Sequence, residues 1–303
     1  MKAGSVRTGG TPGEHAGRPP RERPVRERKG VMTQPSTDFE AWIRRYHQAP
    51  SSGVRLVCFP HAGGSASFFF PVSARLSPAV DVAAVQYPGR QDRRAEANIG
   101  TIPEMADAVL PAVRALADRP LAFFGHSMGA VLAYEVARRL ERDGAEPLAR
   151  LYVSGRRAPS RHRSEHVHEL DDAGLVAELQ RLSGTDSSLL GDPEARDMIL
   201  PAVRSDYHAV ETYRHVPGAA LRCPVVALVG DRDPQVTRDE ALAWAEHSSG
   251  PFDLRVFPGG HFYLVEHGPR VIQALADDLA AVRVPSGAGG VAGGAGRTDA
   301  AAT

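Results

Sequence analysis

Cysteine is scarce in this chain of 303 residues, which contains only two. Cys58 lies within an apolar segment, and Cys223 lies directly before another. We therefore predict two buried free thiols in a reducing compartment, the cytoplasm, rather than a disulfide. Neither cysteine has the spacing of a metal-binding motif, so we expect no metal site.

Long hydrophobic segments are also lacking. No apolar run reaches the roughly 20 residues that a membrane-spanning helix requires. The basic residues near the N-terminus are not followed by the apolar segment of a secretory signal peptide. We therefore expect no membrane partner.

The formal net charge is zero, but the charge is unevenly distributed. Residues 1–33 contain eight Lys or Arg and three Glu, which gives +5 and leaves −5 for the remainder. This segment has too few apolar residues to form a core, so we predict a disordered basic tail or a misassigned start, with Met32 as the true start. A nucleic-acid-binding or membrane-binding arm is the alternative that we disfavour, and we expect no nucleic-acid partner. Residues 285–303 are rich in Gly, Ala and Ser, which predicts a flexible C-terminal tail.

The remaining residues, 34–284, are sufficient for one large domain. Apolar segments alternate with helical patterns, which predicts an α/β fold with a mostly parallel central sheet flanked by helices. The predicted strands are residues 54–59, 80–86, 121–124, 148–154, 224–229 and 252–257. Residues 156–221 interrupt the alternation with helical patterns alone. We predict that this insertion is a helical lid over a pocket, and helices that simply pack on the core are the alternative.

The sequence Gly-His-Ser-Met-Gly at residues 125–129 matches the pattern G-x-S-x-G. A strand pattern precedes it, and apolar residues at helical spacing follow it over residues 128–142. Strand, tight turn and helix form the context of a nucleophile elbow, in which a serine hydroxyl stands clear of the backbone. The flanks therefore favour Ser127 as a nucleophile over a chance match in an ordinary turn.

An activated serine needs a histidine as base, and the histidine needs a carboxylate to orient it. We predict Asp233 as the acid because it follows the fifth predicted strand; Asp231, earlier in the same turn, is the competing candidate, with turn chemistry or a surface ion pair as its other role. We predict His261 as the base because it follows the sixth strand after two glycines, a context that His247 and His267 lack. The order serine, aspartate, histidine predicts an α/β-hydrolase fold.

An oxyanion hole requires two backbone N–H donors. One is expected from Met128, the residue after the nucleophile, and the other from the loop that follows an early strand. We predict Ala62 in the loop at residues 60–64 as the second donor. A side-chain substitution at Ala62 does not remove its N–H, so mutagenesis alone is a poor test of this assignment.

Five motifs occur in a defined order along the chain. They are Phe-Pro-His-Ala-Gly-Gly at 59–64, Gln-Tyr-Pro-Gly-Arg at 86–90, Gly-His-Ser-Met-Gly at 125–129, Gly-Asp-Arg-Asp-Pro at 230–234 and Gly-Gly-His-Phe at 259–262. Together they resemble the type II thioesterases that accompany modular polyketide synthases and non-ribosomal peptide synthetases. The resemblance covers about residues 38–282 and includes residues 200–207 of the proposed lid.

The resemblance implies a stand-alone hydrolase that removes aberrant or stalled acyl groups from the phosphopantetheine arm of carrier proteins. It implies the triad Ser127, Asp233 and His261, with the oxyanion amides at Ala62 and Met128 and a helical, mobile lid. Carrier proteins and acyl thioesters are the implied partners. We expect a monomer that needs no metal or redox cofactor.

Three alternatives remain. A product-releasing or cyclising thioesterase shares the fold and the triad, and a general carboxylesterase is a second enzymatic alternative. A non-catalytic α/β-hydrolase scaffold is the third, and the ordered triad argues against it.

Three arginines follow the second predicted strand, namely Arg90, Arg93 and Arg94. We consider them as contacts for an acidic carrier-protein surface or a phosphate. A solvated charged turn is the alternative for each of them.

Overall fold

A computed structural model describes residues 38–182 and 191–282 of the chain. The strands of this described part are β1 (Ile43–Arg44), β2 (Arg55–Phe59), β3 (Asp81–Val85), β4 (Leu121–His126), β5 (Arg150–Ser154), β6 (Val225–Gly230) and β7 (Phe252–Phe257). They form one sheet in the order β1-β3-β2-β4-β5-β6-β7. β1 pairs antiparallel with β3, whereas all other neighbours in the sheet are parallel. The predicted α/β fold with a mostly parallel sheet is confirmed.

Helices cover both faces of this sheet. They are α1 (Phe39–Trp42), α2 (Phe70–Leu76), α3 (Ile102–Arg114), α4 (Met128–Arg142), α5 (Asp172–Leu182), α6 (Pro193–Thr212), α7 (Arg238–Leu242), α8 (Tyr263–Glu266) and α9 (Gly268–Ala280). None of the helices in the described ranges is long and apolar enough to cross a membrane.

The strand β2 shows why residues 56–59 are apolar at every position rather than at every second one. Its successive side chains point to opposite faces of the sheet. Val57 and Phe59 pack in the cluster that contains α3 and α4, while Leu56 and Cys58 pack in the cluster that contains α2 and α9. Because both faces are covered, neither set of side chains is polar.

Residues 156–221, which we call the helical insertion, connect β5 to β6. Leu175 and Leu179 of α5 pack against Leu200 and Val203 of α6, so the insertion has a small apolar core of its own. Asp192 caps α6, since its side chain accepts a hydrogen bond from the Glu194 N–H at 3.0 Å. The described residues of the insertion contain helices and loops and no strand of the sheet, as predicted.

Some elements differ from the prediction. The antiparallel strand β1 and the helices α1 and α2 were not predicted, because two- to seven-residue elements are too short to show a periodic pattern. The helical segment that follows β7 is divided into two helices, α8 and α9. The predicted tails, residues 1–33 and 285–303, lie outside the described residues.

Both cysteines are buried free thiols, as predicted. Burial raises the pKa of the Cys223 thiol to about 12 and that of Cys58 further. Thiols with such pKa values carry almost no thiolate at neutral pH, so they are poor nucleophiles and serve as packing groups.

Candidate active site

Ser127 occupies a strained turn between β4 and α4. Its backbone angles are φ +54° and ψ −117°, outside the regions that a non-glycine residue normally adopts. The Ser127 N–H donates to the Ser154 carbonyl of β5 at 2.8 Å, which anchors the turn to the sheet. Strain of this kind persists where the surroundings enforce it, and it marks functional positions.

The two glycines of the motif are required because neighbouring backbone atoms lie too close for a β-carbon at either position. A β-carbon on Gly129 would lie 2.1 Å from the Phe59 carbonyl oxygen, and one on Gly125 would lie 2.2 Å from the Gly129 carbonyl oxygen. Neither position has room for a side chain. The G-x-S-x-G spacing therefore reflects the packing of the helix start against β2 and β4.

His261 and Asp233 meet at the same edge of the sheet. Asp233 follows β6 and His261 follows β7, and these strands are parallel neighbours. The His261 Nδ1 atom lies 2.9 Å from Asp233 Oδ2 and 3.0 Å from Oδ1. The aspartate side chain is fully buried and the histidine side chain is 3% exposed, so water does not compete for this contact. The Gln235 N–H also donates to Asp233 Oδ1, at 2.8 Å, and fixes the carboxylate.

Asp231, the competing acid, does not contact His261. Its side chain is half exposed, and its Oδ1 atom accepts a hydrogen bond from the Gly259 N–H at 2.9 Å. Of the two candidates, Asp233 is therefore the carboxylate that orients the histidine, while Asp231 closes the turn.

A small pocket brings the predicted residues together. It is lined by His61, Ala62, Ser127, Leu179, Leu182, Tyr207, His261 and Phe262. Its volume is about 20 Å³, which is room for about one water molecule. Three of the lining side chains, Leu179, Leu182 and Tyr207, come from α5 and α6, so the helical insertion forms part of the pocket wall.

Ala62 and Met128 are the residues predicted to donate the two N–H groups of the oxyanion hole. Ala62 lines the pocket in the loop after β2, and Met128 is the first residue of α4. Backbone N–H groups in the first turn of a helix have no carbonyl partner within the helix, so they are free to bind an anion. Their role as the two N–H donors stays a prediction.

Two further histidines flank His261. The His126 ring lies 5.0 Å from the His261 ring between centroids, and the His61 ring lies 5.9 Å from that of His126. Burial lowers the pKa of His61 to about 3, with the nearby His261 as the second cause, and burial also lowers the pKa of His126 well below its usual range. Both rings are therefore neutral at physiological pH.

The His126 ring is held by a chain of hydrogen bonds. Its Nδ1 atom lies 3.0 Å from the Ser154 hydroxyl, which lies 2.6 Å from the Tyr263 hydroxyl. All three groups are buried. This chain links the residue before the nucleophile to β5 and to the helix that follows His261.

Sequence reasoning missed most of the pocket wall. Leu179, Leu182 and Tyr207 belong to the helical insertion, and no local pattern shows which of its apolar residues face the serine. For Phe262 a signal existed, because this residue directly follows His261 in the motif at residues 259–262.

The suggested docking role of Arg90 and Arg93 is wrong. Both side chains are buried: Arg90 pairs with Asp206, and Arg93 pairs with Glu96 and stacks on the Trp42 ring. Because both side chains are buried, the alternative of a solvated charged turn is also excluded for Arg90 and Arg93. Arg94 is exposed, and its docking role stays a prediction.

A parallel sheet that delivers a serine, then a carboxylate, then a histidine to one edge defines the α/β-hydrolase class. Within that class the chain belongs to the thioesterase domain family, whose sequence model matches residues 54–279. It is a thioester hydrolase.

Individual relatives agree with this assignment. Over 250 residues the chain is 52% identical to the thioesterase PikA5 of Streptomyces venezuelae, with 82% of this chain and 89% of that protein covered. It is 50% identical to the "Probable cadicidin biosynthesis thioesterase" of Streptomyces griseus, with 84% and 71% covered. The solved structure of the type II thioesterase BorB from the borrelidin biosynthetic cluster superposes with a TM-score of 0.75 at 53% identity, covering 80% of this chain and 99% of that one.

Proposed function

We propose that the protein hydrolyses acyl thioesters through a covalent intermediate on Ser127. The observation that carries this proposal is the buried hydrogen bond between Asp233 and His261 Nδ1, beside a serine held in a strained elbow. Asp233 accepts the Nδ1–H, which leaves Nε2 of His261 as the nitrogen that takes the serine proton.

The reaction proceeds in two halves. The Ser127 Oγ attacks the thioester carbonyl while His261 accepts its proton, and the Ala62 and Met128 N–H groups stabilise the oxyanion. Collapse of this intermediate breaks the carbon–sulfur bond, and His261 protonates the departing thiolate. His261 then removes a proton from water, the hydroxide attacks the acyl-serine, and the free acid leaves with Ser127 reprotonated.

We infer that the substrate is an acyl group carried on the phosphopantetheine arm of a carrier protein. The names of PikA5 and of BorB, a type II thioesterase from a biosynthetic cluster, support this substrate class. In this role the protein is a stand-alone editing enzyme that frees stalled polyketide or non-ribosomal peptide synthases. It acts as a monomer in the cytoplasm, with carrier proteins as partners and without a metal or redox cofactor.

The helical insertion serves as the lid in this proposal. The pocket of about 20 Å³ beside Ser127 is too small for an acyl chain, and α5 and α6 supply much of its wall. Binding of an acyl group therefore requires that these helices shift or that their side chains repack. The residues of α5 and α6 that shift or repack therefore determine which acyl group reaches Ser127.

The test is hydrolysis of a panel of acyl groups loaded on carrier proteins, comparing wild type with Ser127→Ala. We expect release of the linear acid by wild type, loss of activity in the variant, and labelling of wild type alone by a fluorophosphonate probe. Hydrolysis by Ser127→Ala at the wild-type rate would contradict the mechanism. A cyclised product would indicate a product-releasing enzyme, and preference for an oxygen ester of the same acyl group would indicate a carboxylesterase.

A further inference from the structure

Asp206 is a buried carboxylate that joins the helical insertion to the loop beside the serine. It lies on α6, and its side chain has no solvent exposure. Its Oδ2 atom accepts hydrogen bonds from the Gly63 N–H at 2.8 Å and from Arg90 Nη1 at 2.5 Å. Its Oδ1 atom accepts a third, from Arg90 Nη2 at 2.9 Å. One side chain thus binds a backbone amide and a guanidinium at once.

Arg90 continues the contact to the same loop. Its Nη1 also donates to the Gly64 carbonyl at 3.2 Å, and its guanidinium stacks over the Tyr87 ring at 5.1 Å. The Tyr87 hydroxyl donates to the Pro60 carbonyl at 3.0 Å. The motif at residues 86–90 therefore holds residues 60–64 from one side, while Asp206 holds them from the other.

The loop itself is a tight turn. The Gly64 N–H donates to the His61 carbonyl at 2.9 Å, and Gly63 at the third position has φ +74°, as in a type II turn. Type I and type II turns differ by a rotation of about 180° of the central peptide, here the one between Ala62 and Gly63. The hydrogen bond to Asp206 selects one orientation of this peptide, because the opposite one would point the Ala62 carbonyl at a buried carboxylate. The Ala62 N–H belongs to the preceding peptide, so Asp206 acts on it by fixing the position of the turn as a whole.

A second contact from the same face of α6 reinforces this arrangement. A β-carbon placed on Gly63 would lie 2.6 Å from Cγ2 of Val203, one helical turn before Asp206. The helix α6 therefore covers Gly63 closely and also provides its hydrogen-bond acceptor.

We propose that Asp206 and Arg90 are positioning residues that hold the turn at residues 61–64 in place, so that the Ala62 N–H lies within reach of the reacting carbonyl oxygen. The inference rests on the proposed function, in which Ala62 donates to the oxyanion. It gives a role to the motifs at residues 86–90 and 200–207, neither of which contains a residue of the triad. Because Asp206 is part of α6, the insertion that covers the pocket also aligns the oxyanion hole.

The first variant to test is Asp206→Asn, which keeps the size of the side chain but removes its charge and one of its acceptor oxygens. The matched control is Glu211→Gln. Glu211 is also a buried carboxylate of α6 that accepts backbone N–H groups, from Val167 at 3.0 Å and His168 at 3.1 Å, but it does not contact the turn. General damage to α6 would affect both variants.

With an acyl-N-acetylcysteamine thioester as substrate, we measure kcat, KM and the inhibition constants of two analogues. Ser127 Oγ adds to the carbonyl carbon of an acyl trifluoromethyl ketone, which creates an oxyanion. An unreactive thioether analogue binds without forming one. For Asp206→Asn we expect kcat to fall about 10- to 100-fold, part of the effect of losing an oxyanion donor. The inhibition constant of the ketone should rise by a matching factor, while KM and binding of the thioether stay within about twofold.

Ketone inhibition of Asp206→Asn that stays within about twofold of wild type would overturn the proposal, as would an equal weakening in Glu211→Gln. If Asp206→Asn does not fold, Arg90→Lys provides the same comparison, since lysine keeps the charge but lacks the paired donors of the guanidinium. For Arg90→Lys we expect the same fall in kcat and the same rise in the inhibition constant of the ketone, each smaller than in Asp206→Asn. A wild-type enzyme that the ketone does not inhibit would instead overturn the proposed function, and the positioning role with it.

Discussion

The orientation of His261 depends on a single buried carboxylate. Asp233 contacts Nδ1 through both of its oxygens, and the pair is almost entirely buried. The neighbouring rings of His61 and His126 are neutral, so this carboxylate is the close countercharge for an imidazolium formed at His261. Asp231 and Asp233 thus have different roles although they lie in the same turn after β6. Only the side chain of Asp233 points toward His261.

Replacing Asp233 by Asn tests this difference. We expect kcat to fall by about 10,000-fold, the effect known for the corresponding change in a serine protease, because the amide favours the wrong tautomer and lacks the charge. Asp231→Asn, the matched control, should retain nearly wild-type kcat because its carboxylate contacts the Gly259 N–H and the exposed Arg232 guanidinium rather than His261. Steady-state kinetics on a small thioester measure both. A larger loss in Asp231→Asn than in Asp233→Asn would reverse the assignment.

Among the secondary-structure elements, α5 and α6 have the greatest influence on the pocket. Leu179 and Leu182 of α5 line it, and Tyr207 of α6 completes that side. The helices pack on each other through their own apolar cluster, and α6 also contributes Ala209 and Val210 to the main core. Substitutions that change the pocket can therefore be separated from those that change only the packing of the insertion.

We expect Leu179→Ala to widen the pocket and shift acyl preference. The ratio of kcat/KM for a longer acyl group over a shorter one should rise about 10-fold or more, because each methylene in an apolar pocket has an effect of that order. Leu175→Ala is the control, since Leu175 is equally buried in α5 but does not line the pocket. It should lower Tm without changing the ratio. An unchanged ratio in Leu179→Ala would show that α5 does not set acyl preference.

For the whole molecule, buried histidines make stability depend on pH. The pKa of His61 is lowered to about 3 and that of His247 to about 4, in both cases chiefly by burial. In the unfolded chain both take up protons near pH 6.5, the ordinary pKa of histidine. Between about pH 6.5 and 4 the unfolded state therefore binds more protons than the folded state, and the free energy of unfolding falls as the pH is lowered.

Each of these histidines contributes up to about 1.4 kcal/mol per pH unit within that window. Urea denaturation at pH 7, 6 and 5 should show the decline, and His61→Gln should make it shallower. His166→Gln is the control, because His166 is 63% exposed, and it should leave the slope unchanged. An identical slope in wild type and His61→Gln would contradict the assignment.

The parts that could be predicted from sequence are those that local patterns encode. Ser127 and His261 each follow an apolar strand within a short motif, and the sheet was predicted from such strands. Asp206 and Arg90 are 116 positions apart, and no local pattern relates them. Arg90 was considered as a surface charge because burial of an arginine depends on a distant partner, which the sequence does not show.

The contact between Asp206 and Gly63 restricts how this enzyme can be re-engineered. An obvious way to alter acyl preference is to exchange residues 156–221 for those of a relative. Such a chimera would import a new pocket wall, but it would also replace the side chain that aligns a backbone amide outside the exchanged segment. Donor segments with a carboxylate at position 206 should yield active chimeras, and segments without one would need a compensating change at Arg90.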